Sequence, residues 1–429
     1  MRVLVMNQYF PPDIASTGNI VEAICEGIAE TGASVTAVVG QPSYTSSVVN
    51  APATEQRGNL TIRRVPMGRR RGRGSIATRV LGYARFLGSA WLTTRGMRFD
   101  VVVTFHNPPI LGLLGAWLAH TRGVPFVYVV QDIHPDILAR TREPRLPAWL
   151  ISIWRRLSRV TLHRSSLTIT LSGGMKAYLV RTYGLSEDVV TSIPLWAQPD
   201  LGHLQADAAA TKHARERLGL SAITNGDLVV LYSGNMGVMH PIEILAGAAA
   251  RVRSLPISFV FVGDGTKRRE LERLSRQLSL DNIQFLPFQP IREFELLVQA
   301  ADVCAVALQN GLEDLCLPSR TATFMSGGRP ILAVMSERAS QSREVVETGA
   351  GWSADSTEGV ATILERLVHA RGQVSSAGSA ARSAYRRSYR RETLVGRYVH
   401  AILRSGAPRQ GLADPPVSQR PKPAPPRTS

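Results

Sequence analysis

Short runs of β-branched and aromatic residues alternate with longer stretches of helical periodicity along almost the whole chain. Residues 3–6, 34–39, 61–65, 101–105, 126–130 and 167–170 read as strands, with helical patterns such as 18–30 and 146–164 between them. Several of these runs, PFVYVV at 125–130 among them, are apolar at nearly every position, as a strand buried on both faces must be. The alternation stops over 196–227, a polar stretch without a clear strand. It restarts with apolar runs at 228–234, 257–265, 283–288, 303–308 and 330–335. The expected fold is α/β: two Rossmann-like, doubly wound domains facing a cleft. The first spans 1–195, a linker 196–227 and the second domain 228–373. Basic helices fill 374–404, and 405–429 reads as a disordered, proline-rich tail.

In such sheets ligands bind at the carboxyl ends of the strands, so the loops that follow them are where chemistry is sought. After the first strand, NQYFPPDIASTG brings Gly18 to a helix start, where free N–H groups suit a phosphate; an ordinary turn reads the same way. QDIHPD crowds Asp132, His134 and Asp136 into five residues at a strand end. These are groups able to orient or accept a hydroxyl proton, or less plausibly to ligate a metal. In the second half, SGNMGVMHP carries Gly234, Asn235 and His240, the last two as potential donors to phosphate oxygens. VGDG carries Gly263 and Asp264, readable as a nucleotide contact or as a helix cap. The stretch 308–334 places Glu313 in an acidic loop and Ser319 and Arg320 at a helix start, an arrangement that suits a pyrophosphate.

Length and charge sharpen this picture. A chain of 429 residues exceeds one ordinary core, which agrees with two domains. Fifty basic against 33 acidic residues give +17, and from Gln56 to Phe99 there are eleven arginines and no acid. That block points to an anionic partner, or to the arginine bias of a GC-rich genome. Arg69, Arg70, Arg71 and Arg73 precede a helical stripe of Ile76, Val80, Tyr83, Leu87 and Trp91. The stripe fits either insertion into an anionic membrane surface or packing on the sheet. No aromatic-interleaved basic module accompanies the charge, so nucleic acid is not expected as a partner. No run of 18 apolar residues is present, and the first residues read as a strand and not as a signal peptide. Three scattered cysteines form neither a disulfide framework nor a metal pair. A cytoplasmic protein, peripheral at the inner face of the membrane, is the expectation.

The segments NQYFPPD, FVYVVQDIHPD, VVLYSGNMG, FVFVGDG, IQFLPF and LEDLCLPSRTATFMSGGRPILAV follow the order and spacing of family 4 glycosyltransferases. The chain resembles the bacterial branch that builds surface polysaccharides, including colanic-acid and O-antigen amino-sugar transferases, over residues 1–404. The resemblance implies a GT-B fold, a nucleoside-diphosphate sugar as co-substrate, with UDP first, and retention at the anomeric carbon. It also implies no cofactor and no obligatory metal. By the same resemblance Pro287 and Phe288 face the base. Ser319 and Arg320 meet the diphosphate with Asn235 and His240 nearby, Gly18 approaches the phosphates, and the 132–136 cluster lies near the reacting hydroxyl. The acceptor is then a saccharide, free or carried on a polyprenyl diphosphate. Two departures stand out. Asn235 and His240 occupy places where many members have arginine and lysine. Of the family's paired glutamates, the second falls on Thr323 and the first is nearest to Glu313, two residues out of register. A soluble natural-product acceptor and a non-catalytic sugar-nucleotide sensor are the alternatives.

Overall fold

A computed structural model of the chain describes residues 1–13, 15–42, 51–67, 76–142, 145–204, 208–218 and 227–406. The arginine cluster Arg69, Arg70, Arg71 and Arg73 and the tail beyond 406 lie outside the described residues. The first half runs β1 (Arg2–Asn7), α1 (Ser16–Glu30), β2 (Ser34–Gly40), β3 (Thr54–Arg57), β4 (Leu60–Val65), α2 (Ile76–Thr94) and β5 (Val101–Phe105). It continues α3 (Leu111–Arg122), β6 (Phe126–Val129), α4 (Asp136–Thr141), α5 (Ala148–His163), β7 (Leu167–Thr170), α6 (Gly173–Tyr183) and β8 (Val190–Ser192). Its eight strands order as β3-β4-β2-β1-β5-β6-β7-β8, parallel except for the β3–β4 pair at the edge. Every residue of β5 and β6 is buried, because helices cover both faces.

The second half runs α7 (Ala208–Leu218), β9 (Leu228–Ser233), α8 (Ile242–Arg251), β10 (Ile257–Val262), α9 (Arg268–Gln277), β11 (Ile283–Leu286), α10 (Ile291–Ala300) and β12 (Val303–Ala307). Then follow α11 (Arg320–Ser326), β13 (Ile331–Val334), α12 (Ser340–Glu347), β14 (Gly351–Ala354), α13 (Thr357–His369), α14 (Arg371–Ser388) and α15 (Arg391–Gly406). Its six strands order as β11-β10-β9-β12-β13-β14, all parallel. Two doubly wound sheets of Rossmann type are therefore present, as the alternation of patterns implied.

The ends of the chain are arranged less simply than the sequence suggested. The 196–227 segment is not only a linker, since α7 packs on α10. There Arg215 bonds the Ala300 carbonyl at 3.0 Å and the Asp302 carboxylate at 2.7 Å. Nor are residues 374–404 one unit. Helix α14 lies on α11 of the second domain, whereas α15 returns to the first and packs on α1. The Tyr398 hydroxyl donates to the Ile193 carbonyl at 2.8 Å, which fixes α15 at the end of β8.

Candidate active site

The loops beyond the carboxyl ends of β6 and β7 meet the loop beyond the carboxyl end of β12. The Ile133 N–H donates to the Leu315 carbonyl at 2.9 Å, and the Arg140 guanidinium donates to the Gly311 carbonyl. Asp314 reaches across to the N-terminal turn of α6, where a Cβ on Gly174 would lie 2.5 Å from its Oδ1, and the guanidinium of Arg181, from the last turn of the same helix, stands 3.8 Å from its Oδ2. The acidic loop 309–315 thus bridges the domains at one side of the cleft.

Of the three titratable residues in QDIHPD, the fold turns only one into the cleft. The Asp132 side chain is 37% exposed, and its Oδ2 lies 3.1 Å from Nε2 of the buried His106, a residue at the end of β5 that sequence reasoning passed over. The surrounding protein pushes the Asp132 carboxyl up. The hydrogen bond from His106 and the nearby His106, His134 and His240 outweigh that and hold it below the ordinary carboxylate range. Asp132 is therefore an anion at neutral pH. His134 turns away, stacked on Trp154 with ring centroids 6.0 Å apart, and burial lowers its pKa to about 4 despite Asp132, so it is neutral. Asp136 does not belong to the cleft. Its carboxylate is buried at the start of α4, held by Arg155 at 2.9 and 2.5 Å and by the Tyr183 hydroxyl. The expected catalytic role is replaced by a structural one, because every oxygen of the group is engaged below the surface.

In the second domain, the loops after β9, β10 and β11 converge. Gly263 has φ +129°, and a Cβ there would overlap the Gly234 carbonyl, so the glycine serves the close approach of two backbone turns. Asp264 does not cap α9, which starts at Arg268. One of its carboxylate oxygens accepts from the Gly265 N–H at 2.8 Å. Pro287 and Phe288 are exposed beyond β11, with the Phe288 side chain open to solvent. Asn235 is exposed in the adjacent loop, with its own carbonyl accepting from the Tyr232 hydroxyl at 2.8 Å.

His240 departs from its expected role. Its Nδ1 lies 2.8 Å from the Ala307 carbonyl, so Nδ1 carries the proton, and burial lowers its pKa in spite of that bond. A neutral ring with Nδ1 protonated presents Nε2 as an acceptor, the reverse of the phosphate donor expected from sequence. Glu313 is half-buried near Cys316, whose thiol is pushed up by burial and by the charges of Asp132 and Glu313. Ser319 is exposed at the start of α11. Arg320 is half-buried, with its guanidinium 4.6 Å from the centre of the Phe294 ring. Burial pushes its pKa down, offset in part by Tyr232. No carboxylate among the described residues pairs with it. Thr323 is not a donor contact. It is fully buried, and its hydroxyl accepts the Gln198 N–H at 3.0 Å, tying the linker to α11. Gly18 is also spent on packing, since a Cβ there would lie 3.2 Å from the Phe10 nitrogen.

Two family models match consecutive stretches of the chain: a glycosyl transferase 4-like domain over residues 17–196 and a glycosyl transferases group 1 domain over 194–382. The chain belongs to glycosyltransferase family 4. Among relatives of this glycosyltransferase, WbjE of Pseudomonas aeruginosa, described as a glycosyltransferase, is 25% identical over 391 residues, covering 90% of this chain and 94% of its own length. WcaI of Escherichia coli, described as a colanic acid biosynthesis glycosyl transferase, is 26% identical over 351 residues, covering 77% and 83%. Solved structures share the fold. Sucrose-phosphate synthase from Thermosynechococcus elongatus superposes with a TM-score of 0.74 at 16% identity, covering 94% of this chain and 98% of that one. Anabaena HepE in complex with UDP gives 0.68 at 14% identity, covering 94% and 100%. WaaG, a glycosyltransferase of lipopolysaccharide biosynthesis, gives 0.66 at 16%, covering 94% and 99%. The fold of this glycosyltransferase is GT-B.

Proposed function

We propose that this glycosyltransferase moves a sugar from a UDP-sugar, with retention at the anomeric carbon, onto a saccharide carried by a polyprenyl diphosphate during surface-polysaccharide assembly. The observation that carries the donor side is Arg320. A guanidinium that is largely desolvated and has no carboxylate partner is costly, and a bound anion at the start of α11 relieves that cost. UDP is the first nucleotide to test because HepE, which shares the fold, binds it. The polysaccharide setting is supported by the relation to WcaI.

In the reaction, the bond from the anomeric carbon to the diphosphate breaks as the acceptor oxygen bonds to the same face. The acceptor proton passes to a diphosphate oxygen. The protein's part is electrostatic: Arg320 stabilises the charge that develops on the leaving group. Asp132, held ionised by His106, orients the acceptor hydroxyl from the opposite wall. His240 accepts a hydroxyl hydrogen of the donor through Nε2.

The test is a thermal-shift panel of UDP-, GDP- and dTDP-sugars, followed by turnover. UDP-sugars stabilise the wild type, and Arg320→Ala lowers turnover by about 10²–10³ with the fold intact. Near-normal turnover in that variant removes the diphosphate assignment. Silence across the panel removes the donor reading.

A further inference from the structure

Both places where the chain passes between the domains border one crevice. Pro194 and Leu195, just after β8, form one part of its wall, and Ser388 and Tyr389, at the end of α14, form another. The first domain adds Ser172, the cap of α6. The second adds Pro318, just before α11, and Ser340, Gln341 and Glu344 on α12. The space measures about 250 Å³. That is room for roughly eight waters and lies below the roughly 300–1,000 Å³ of sites for drug-sized ligands. It is the scale of a single sugar ring. The crevice shares no wall residue with the surroundings of Asp132, and of the residues assigned to the donor only Ser319 touches it.

Charge and polarity narrow the occupant. The chain carries +17, yet among the described residues no lysine, arginine or histidine lines this crevice, and its one carboxylate is Glu344. A phosphate or a nucleotide would find no counter-charge in these side chains. The other polar groups are serine hydroxyls, one amide and one phenol, beside apolar walls from Leu171, Leu195 and Leu317. Short hydroxyls, an amide and a carboxylate set against apolar patches match the hydroxyl groups and C–H faces of a neutral saccharide. Gln341 has bonding capacity to spare. It is 5% exposed, its Nε2 donates to the Pro318 carbonyl at 3.2 Å, and its buried Oε1 has no partner among the described residues. A buried acceptor without a donor is costly, and sugar hydroxyls are donors. Glu344 accepts from the Tyr389 hydroxyl, and burial pushes its carboxyl up in spite of that bond, which favours an uncharged neighbour.

Position adds a consequence. Through Pro318, Gln341 is tied to the segment that opens α11 and carries Arg320. A ligand that touches both crossings and both domains binds one arrangement of the domains better than another.

We propose that this crevice binds one neutral saccharide unit, outside the reaction cleft, and that its occupation favours the arrangement in which loop 309–315 meets α6.

The experiment is saturation-transfer NMR on the full chain with free glucose, galactose, N-acetylglucosamine and rhamnose, followed by titration of those that respond. At least one neutral sugar binds with a Kd on the order of 1 mM. Glucuronate binds more weakly, because Glu344 repels its carboxylate, and added UDP does not displace the neutral sugar. Gln341→Ala weakens binding by about tenfold, the loss of a buried hydrogen bond. Ser388→Trp does the same by filling the crevice from an exposed position, with melting unchanged. On adding the sugar, amide hydrogen exchange slows in 309–318 and at the start of α6. Silence from all four sugars, a response that survives both variants, or displacement by UDP overturns the site. Binding that leaves exchange in 309–318 unchanged overturns its coupling to the domains. Binding is read without donor or acceptor, so it stands or falls separately from the proposed reaction.

Discussion

At the scale of single residues, chemistry in the cleft depends on which partner each ionisable group finds, and those partners are far away in sequence. Asp132 and Asp136 look equivalent in QDIHPD, yet one is held ionised at the cleft by His106 and the other is sealed by Arg155 and Tyr183. Substitution separates them. Asp136→Asn leaves Arg155 without its counter-charge and is expected to cost about 1–3 kcal/mol of stability, read from denaturant midpoints. Asp132→Asn leaves the midpoint nearly unchanged and lowers turnover. A fully stable Asp136→Asn chain would contradict the buried network. His240 supplies a pH test with a definite sign. Its pKa is lowered in the free protein, and a donor hydroxyl bonded to Nε2 lowers it further, because only the neutral ring accepts that bond. A group whose pKa falls on binding loses binding as pH falls through the free-state value. Donor affinity is therefore expected to hold level between pH 8 and 7 and to fall in more acidic solution, with His240→Asn flattening the profile in calorimetric titrations. An affinity that rises on acidification means that His240 is protonated beside the donor and does not accept from it.

At the scale of elements, the strands were legible because buried parallel strands are apolar at nearly every position, as in β5 and β6. The elements that sequence reasoning missed are those without that signature: β3 is TEQR on an edge, β8 is three residues long, and β14 begins with glycine. Helix α2 shows a subtler difference. The stripe read from sequence, through Val80, Tyr83, Leu87 and Trp91, borders on solvent. The buried side of the helix is Gly82, Phe86, Ala90 and Thr94. That side packs toward β2 and β4 and mixes one large apolar residue with small and polar ones, so the face that packs is less apolar than the one beside it. This register is testable. Phe86→Ala is expected to destabilise by roughly 3–5 kcal/mol as a core truncation. Val80→Ser is expected to stay within about 0.5 kcal/mol of wild type. Comparable losses at the two positions would restore the sequence-based register. The site was legible to a different degree. Loop positions followed from the strand ends, whereas the seating of Arg320 against Phe294 and the loss of Thr323 to packing depend on tertiary contacts that no local pattern encodes.

At the scale of the whole molecule, the chain crosses between domains twice, after β8 and again between α14 and α15, so the first domain is completed by the last helix. Leu394, Tyr398, Val399 and Ile402 are buried by that return, and α15 sits so close to α1 that a Cβ on Gly27 would lie 2.7 Å from Val395. Burying each such side chain contributes about 1.5–3 kcal/mol, and their sum is comparable to the entire stability of an ordinary domain, about 5–15 kcal/mol. A chain ending at Arg390 is therefore expected to lose the first domain and keep the second, whose sheet and helices α7 to α14 are intact. Limited proteolysis should then degrade residues before β8 while a fragment containing β9 to β14 persists. That fragment should still be stabilised by the nucleotide that stabilises the full chain, since Arg320, Asn235 and Phe288 all belong to it. Transfer to any acceptor should be absent, because Asp132 and His106 are on the side that unfolds. One cooperative melting transition at the wild-type temperature would show instead that α15 is dispensable and that the first sheet holds without it.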